Sequence, residues 1–235
     1  VKFHLSLRET EGFFLSLISL MGHLGKVPCY TQLCRRIKTL SLPEHLLERK
    51  NVTDIVMDTT GLKIFGAGEW RNQKYGGRRG WKKLHLALDP QSGKLVFAEL
   101  TTEYVHDTQY LEKALQRANR RNGRVLFDGI ADSRQCYELS KKYNKQLLTP
   151  PKKGAILRKE TGYEGRNEAI KIINGLGGDR EAKSIWAKLV GYNKRVIAES
   201  MMSRWKQLFG GKLKSHCEQR RQVEVRLKAI MVNSM

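Results

Sequence analysis

Apolar positions in the first fifty residues recur at helical spacing. In "RETEGFFLSLISLMG" they fall at Phe13, Phe14, Leu17, Leu20 and Met21, with Thr10 placed to cap the helix and Gly22 and Gly25 to end it. "PCYTQLCRRIKTL" predicts a second, short basic helix from Tyr30–Thr31. Two such helices about a Gly-containing turn fit part of a helix-turn-helix and equally fit plain helical packing. From about Val52 the period shortens to two. "TDIVMDTTGLKI" carries an apolar run ending at Asp58, and "KKLHLALD" and "KLVFAELTT" alternate on either side of "PQSG", which predicts a hairpin over 82–102. Helical spacing returns over 108–118. "RVLFD" then reads as a short buried strand ending at Asp128, followed by a helix over 133–143 and the strand "KQLLTP". A basic loop over 150–165 leads to helices at 167–174 and 179–189. "GYNKRVIAESMMSRWK", residues 191–206, reads as one further amphipathic helix, and 218–231 as the last.

A three-strand meander followed by βαβ units predicts an α/β fold, a mixed sheet with helices on both faces. Residues 1–50 form a small helical segment, for DNA binding or assembly. Residues 51–235 form the main domain, with a helical insertion at about 151–190. In this layout Asp58 and Asp128 both stand at strand ends, where functional groups of such sheets gather. The chain opens at Val1 in mid-pattern, as a piece of something longer would.

Charge narrows the partner. The net charge is +21 over 235 residues, and +16 of it lies between Leu111 and Met235, where 28 Lys and Arg face 12 Asp and Glu. A folded domain this basic is suited to a polyanion, because neutralising phosphates releases condensed counterions. The apolar runs are too short for a membrane span and lack the pattern of a signal peptide, which points to the cytoplasm. Cys29, Cys34, Cys136 and Cys217 stand apart without a CxxC pair, so neither a zinc site nor a disulfide framework is suggested.

The chemistry rests on three acids. Asp58, Asp128 and Glu199 are hard oxygen donors of the kind that hold Mg²⁺ or Mn²⁺ together with substrate phosphate oxygens. At about 100° per residue, Tyr192, Arg195, Glu199 and Lys206 lie within about 60° of one another on the 191–206 helix, while Ile197, Met201, Trp205 and Leu208 fall on the other side. Taken alone, Arg195 and Glu199 read more simply as a solvated i,i+4 ion pair. Asp58 alone reads as a turn cap. Together with Asp128 and the basic charge, the set points to metal-dependent phosphoryl transfer. Arg78, Arg79, Lys82 and Lys83, interleaved with Trp70, Tyr75 and Trp81, offer a surface for tracking and stacking on DNA, or else a solvated basic hairpin. His85 reads as a half-buried strand residue, Asp107 as the cap of the next helix, and Asp132, just before Ser133, as the cap of the one after.

Tyr192, Arg195, Glu199 and Lys206 satisfy Y-(2)-R-(3)-E-(6)-K at every spacing. With "VMDTTGLKIFGAGEWRNQKYGGRRGWKKLHLALD" and "LFDGIADS", this resembles the bacterial insertion-sequence DDE transposases, the insertion-sequence-five group in particular. Ala131 stands where that group usually has an aromatic residue. The resemblance implies an RNase H-like catalytic domain whose triad, Asp58, Asp128 and Glu199, binds two divalent ions, Mg²⁺ or Mn²⁺. It also implies cleavage of double-stranded DNA at insertion-element ends, transfer of the 3′-hydroxyl into target DNA and a nucleoid-associated location in a bacterium. A homodimer on DNA is compatible with it. DNA contacts would come from Tyr192, Arg195, Lys206, Arg78, Arg79, Lys82, Lys83 and Trp81. Two other readings fit the same residues: a shortened, catalytically impaired DNA-binding relic that inhibits transposition, and an RNase H-like structure-specific nuclease.

Overall fold

The computed structural model describes residues 5–23, 25–42, 47, 51–64, 80–118, 122–160 and 162–235. Helix α1 (Leu7–Leu20) is closed at its start by a reciprocal capping box. Ser6 Oγ accepts from the Glu9 amide and Glu9 Oε2 accepts from the Ser6 amide at 2.6 Å. Ser6 therefore takes the role expected of Thr10, whose hydroxyl donates inside the helix to the Ser6 carbonyl at 2.7 Å. The apolar residues of α1 find each other by period but not a core: Phe13, Phe14, Leu17, Leu20 and Met21 are all exposed. The helix leans on α2 (Tyr30–Thr39), which in turn packs on the last helix of the chain.

The sheet follows the period-two segments. Its strands are β1 (Ile55–Ile64), β2 (Trp81–Leu88), β3 (Leu95–Thr102), β4 (Gly123–Leu126), β5 (Lys145–Leu148) and the two-residue β6 (Lys212–Leu213). They lie in the order β3-β2-β1-β4-β5, with β6 joining β1. The first three are antiparallel, while β4, β5 and β6 run parallel to their neighbours. This is the mixed sheet flanked by helices that the strand and helix order implied.

Around the sheet stand α3 (Leu111–Arg117), α4 (Arg134–Lys142), α5 (Glu164–Gly175), α6 (Arg180–Leu189), α7 (Val196–Phe209) and α8 (Glu218–Asn233). Alternation along the strands divides two cores. Val56, Leu62, Leu84, Leu86 and Leu88 face α7 and α8, where Trp205 is fully buried beside Met201, Phe209 and Val225. Ile55, Met57 and Ala87 face α3 and α4. A third, small cluster joins Ala169 and Ile173 of α5 to Ala182 and Trp186 of α6. No helix among the described residues is long and apolar enough to cross a membrane, and the four cysteines are free thiols.

Two details tie the frame together. Helix α8 protects the outer strand β3 with side-chain amides that imitate a neighbouring strand. Asn233 bonds both the N–H and the C=O of Leu95, at 2.8 and 2.7 Å, and Gln222 does the same for Leu100. Asp132 ties α5 and the Lys152 loop together rather than capping α4. Its carboxylate is buried and accepts from Arg166 Nε of α5 at 2.9 Å, from the Lys152 amide at 2.9 Å and from Tyr137 Oη at 3.3 Å. Ser133 is the residue at the helix start, and it makes no side-chain cap.

Candidate active site

Asp58 lies inside β1, the fourth of its ten residues, and not at the end of a strand. The expectation of a strand end fails because β1 continues along β2 through "TTGLKI". On the opposite edge the pairing does stop. There β4 pairs with Ile55 and Val56, β6 pairs with Lys63 and Ile64, and the stretch between lacks a strand partner among the described residues. Asp58 opens into that gap. In the parallel register Val56 faces Leu126, so Asp58 and Asp128 each stand two residues past the same pair, near enough for the charge of one to be felt by the other. Gly123 makes this possible: a Cβ there would sit 1.8 Å from the Thr53 carbonyl oxygen, and only glycine lets β4 come in so close.

Asp128 caps the 3₁₀ turn Gly129–Ala131, its Oδ1 accepting from the Ile130 amide at 3.1 Å. Thr149 Oγ1 holds its carbonyl at 2.6 Å. Burial pushes the Asp128 carboxyl above its ordinary pKa. The Ile130 amide and the Arg195 charge pull it back, and the negative charges of Asp58 and Asp107 add to the rise.

The third acid arrives on a composite element. Residues 191–206 are not one α-helix: Gly191, in the left-handed region at φ 72°, starts a 3₁₀ turn over Tyr192–Arg195, and α7 begins only at Val196. The wheel angles drawn from Tyr192 therefore do not carry across the junction. They do hold within α7, where Glu199 and Lys206, seven residues apart, are both exposed while Ala198, Met201, Met202, Trp205 and Phe209 are buried. Tyr192 turns inward. Its hydroxyl donates to the Phe127 carbonyl at 3.1 Å, one residue before Asp128, and burial pushes its pKa up to about 12. Arg195 stands between two of the acids, with Nη2 3.0 Å from Asp58 Oδ1 and Nη1 3.4 Å from Glu199 Oε1. Burial works against its charge, but Asp58 and the other acids outweigh this and hold its pKa above the ordinary value.

The basic hairpin is more committed than its sequence indicates. Lys82 Nζ is paired with Glu218 at 2.9 Å, and Lys83 Nζ with Asp107 Oδ1 at 3.0 Å and the Val105 carbonyl at 3.1 Å. Trp81 remains exposed, with Lys63 Nζ 5.0 Å from its ring centroid. Arg78 and Arg79, like Trp70 and Tyr75, lie outside the described residues.

Sequence reasoning missed the group behind Asp58. Asp107 caps nothing and is the partner of Lys83. His85 is fully buried, not half-buried. Its Nδ1 is 3.0 Å from Thr59 Oγ1 and its Nε2 2.8 Å from Thr101 Oγ1, and its ring stacks on Tyr110 at 4.5 Å. Burial pushes its pKa down to about 4, so the ring is neutral near pH 7. Nothing in the local pattern "KKLHLALD" separates such a residue from any inward strand position.

The donor chemistry suits a hard divalent ion: two carboxylates near one another, with a third within reach of a shared arginine. Among the described residues, however, no three His, Cys, Asp or Glu side chains are gathered as a metal site, and Glu199 contacts Arg195 at 3.4 Å.

A family model described as Transposase DDE domain matches residues 52–234, and a second with the same description matches residues 1–67. Among solved structures, the Mos1 transposase paired-end complex with left transposon end is 15% identical, with a TM-score of 0.28 over 58% of this chain and 49% of that one. The chain thus spans about half the length of that protein. A pre-cleavage Mos1 transpososome is 13% identical, with a TM-score of 0.30 over 87% of this chain and 72% of that one.

Proposed function

The chain belongs to the DDE transposase family, and from that premise we propose that it cuts DNA at insertion-element ends and transfers the resulting 3′-hydroxyl into target DNA. The observation that supports this most is the shared parallel register of Asp58 and Asp128, with Arg195 linking Asp58 to Glu199. Asp58, Asp128 and Glu199 are the residues that would hold two Mg²⁺ or Mn²⁺ ions. When bound, such ions activate the attacking oxygen and stabilise the leaving one. The Y-R-E-K spacing supports an insertion-sequence-five-type member.

Each step is an exchange of phosphodiester bonds. Water attacks phosphorus at the element end and the P–O3′ bond breaks, leaving a 3′-hydroxyl. That hydroxyl then attacks a target phosphate and displaces a target 3′-oxygen, so one bond forms as one breaks and no energy source is consumed. The chain's own contribution is placement. Tyr192 ties the 3₁₀ turn to Phe127 and so keeps Arg195 over the paired aspartates. Arg195 offers a planar fork for a phosphate oxygen, and Lys206 a second positive charge further along the exposed face of α7.

The test uses duplexes made from the DNA on either side of the gene, where the proposal expects inverted repeats, a supercoiled plasmid as target, and a branched junction as competitor. Joining of the labelled 3′ end to plasmid in Mg²⁺ is expected. Cleavage confined to the branched DNA would make the protein a structure-specific nuclease instead. Salt-sensitive binding with no cleavage in either ion would make it a binding relic.

A further inference from the structure

Arg195 sits where a cation between Asp58 and Glu199 would sit. Its two terminal nitrogens are divided between the two carboxylates, and its side chain is only 22% exposed. The arrangement is imperfect in two ways. Arg195 Nε is buried with no hydrogen-bond partner among the described residues, and a buried donor left unpaired is costly. The contact to Glu199 is long, at 3.4 Å, and Glu199 is 60% exposed, so it is a loose tether. Arg195 is also the last residue of the 3₁₀ turn that leads into α7, so its long side chain can leave the carboxylates by rotamer changes while Tyr192 holds the backbone of the turn. It can move without disturbing α7, whose position is set by the buried side chains of Trp205, Met201 and Phe209.

We propose that Arg195 competes with a divalent ion for the carboxylates of Asp58 and Glu199, and that it is released onto a DNA phosphate. Ion binding and DNA binding then strengthen each other through one side chain. The inference rests on the acidic site proposed above. Its physical basis is that a guanidinium and a divalent ion cannot both be the near neighbour of the same carboxylate oxygens. A DNA phosphate is a strong partner for the displaced fork, and it can also satisfy Nε. Linkage makes the coupling reciprocal: whatever factor DNA applies to ion affinity, the ion applies to DNA affinity.

The experiment measures Mn²⁺ binding through the loss of its free-ion electron paramagnetic resonance signal, so no turnover is needed. In the wild-type protein, a duplex made from the DNA flanking the gene is expected to tighten Mn²⁺ binding about tenfold, within the usual range of coupling factors. Arg195→Ala is expected to bind Mn²⁺ about tenfold tighter than wild type without DNA and to keep only the part of the duplex effect that phosphate oxygens on the ion supply. Arg195→Lys, which keeps the charge but cannot fork between two carboxylates, is expected to fall between them. Equal Mn²⁺ affinity in wild type and Arg195→Ala overturns the proposal. So does a wild-type affinity that the duplex leaves unchanged, a result that needs no variant to fold. Asp58→Asn and Asp128→Asn separate the two levels. If neither weakens Mn²⁺ binding, the acidic site itself is wrong and this inference falls with it. If both do, and Arg195→Ala changes nothing, only the competition is wrong.

Discussion

His85 carries a pH dependence that can be worked out from its surroundings. Its ring is enclosed by Thr59, Thr101 and Tyr110 and holds a pKa of about 4, against an ordinary value of 6.5 in the unfolded chain. Between those values the unfolded state takes up a proton that the folded state refuses, so stability is full above about pH 6.5 and falls on acidification toward pH 4. The loss attributable to this residue is about 2 kcal/mol between pH 7 and pH 5. Urea unfolding at the two values checks it. The wild type is expected to lose that much more than a His85→Gln variant, and parallel losses would show that His85 does not carry the effect. Asp128 is perturbed in the opposite sense: burial first, then its acidic neighbours, favour its protonated form, so an ion at the proposed site should be lost on acidification sooner than an ordinary Asp would dictate.

Among the elements, α5 is tied to the loop before α4 by one buried ion pair. Arg166 and Asp132 are 8% and 1% exposed, and Asp132 also holds the Lys152 amide. Removing one partner strands the other charge, so Asp132→Ala is expected to cost about 3–5 kcal/mol. Hydrogen exchange should show α5 and α6 loosening before β1 and β2, and uniform loosening of all four would contradict this anchoring role. The sequence carried most of the elements, since period and caps are local: the hairpin over 82–102, the helices after Asp179 and from Glu218, and the short strands ending near Asp128 and after Lys145 all stand. What it did not carry was partner choice. Asp132, Asp107 and Lys82 all find charges 24 to 136 residues away, and no spacing rule encodes that. The 3₁₀ turn at Tyr192–Arg195 was likewise hidden, because its four residues suit an α-helix equally well.

For the whole molecule, the +21 net charge favours long-range attraction to a polyanion, which in the proposed function is DNA. If about 6–10 phosphates are contacted, affinity for a random duplex should fall about 10³–10⁵-fold between 50 and 200 mM salt. A fluorescence anisotropy titration across that range measures the slope, and a flat response would remove nucleic acid as the polyanion. The acidic site stands out against this charge: Asp58 and Asp128 are brought together by a strand register, and Glu199 joins them through Arg195. Whether those three acids form one centre is tested most directly by Mg²⁺-dependent nicking of the flanking-DNA duplexes in single turnover. Asp58→Asn, Asp128→Asn and Glu199→Gln are each expected to reduce it by about 10²–10³-fold or more, the scale seen when one group that stabilises transition-state charge is removed. Nicking that persists at the wild-type rate in any of the three would contradict the assignment.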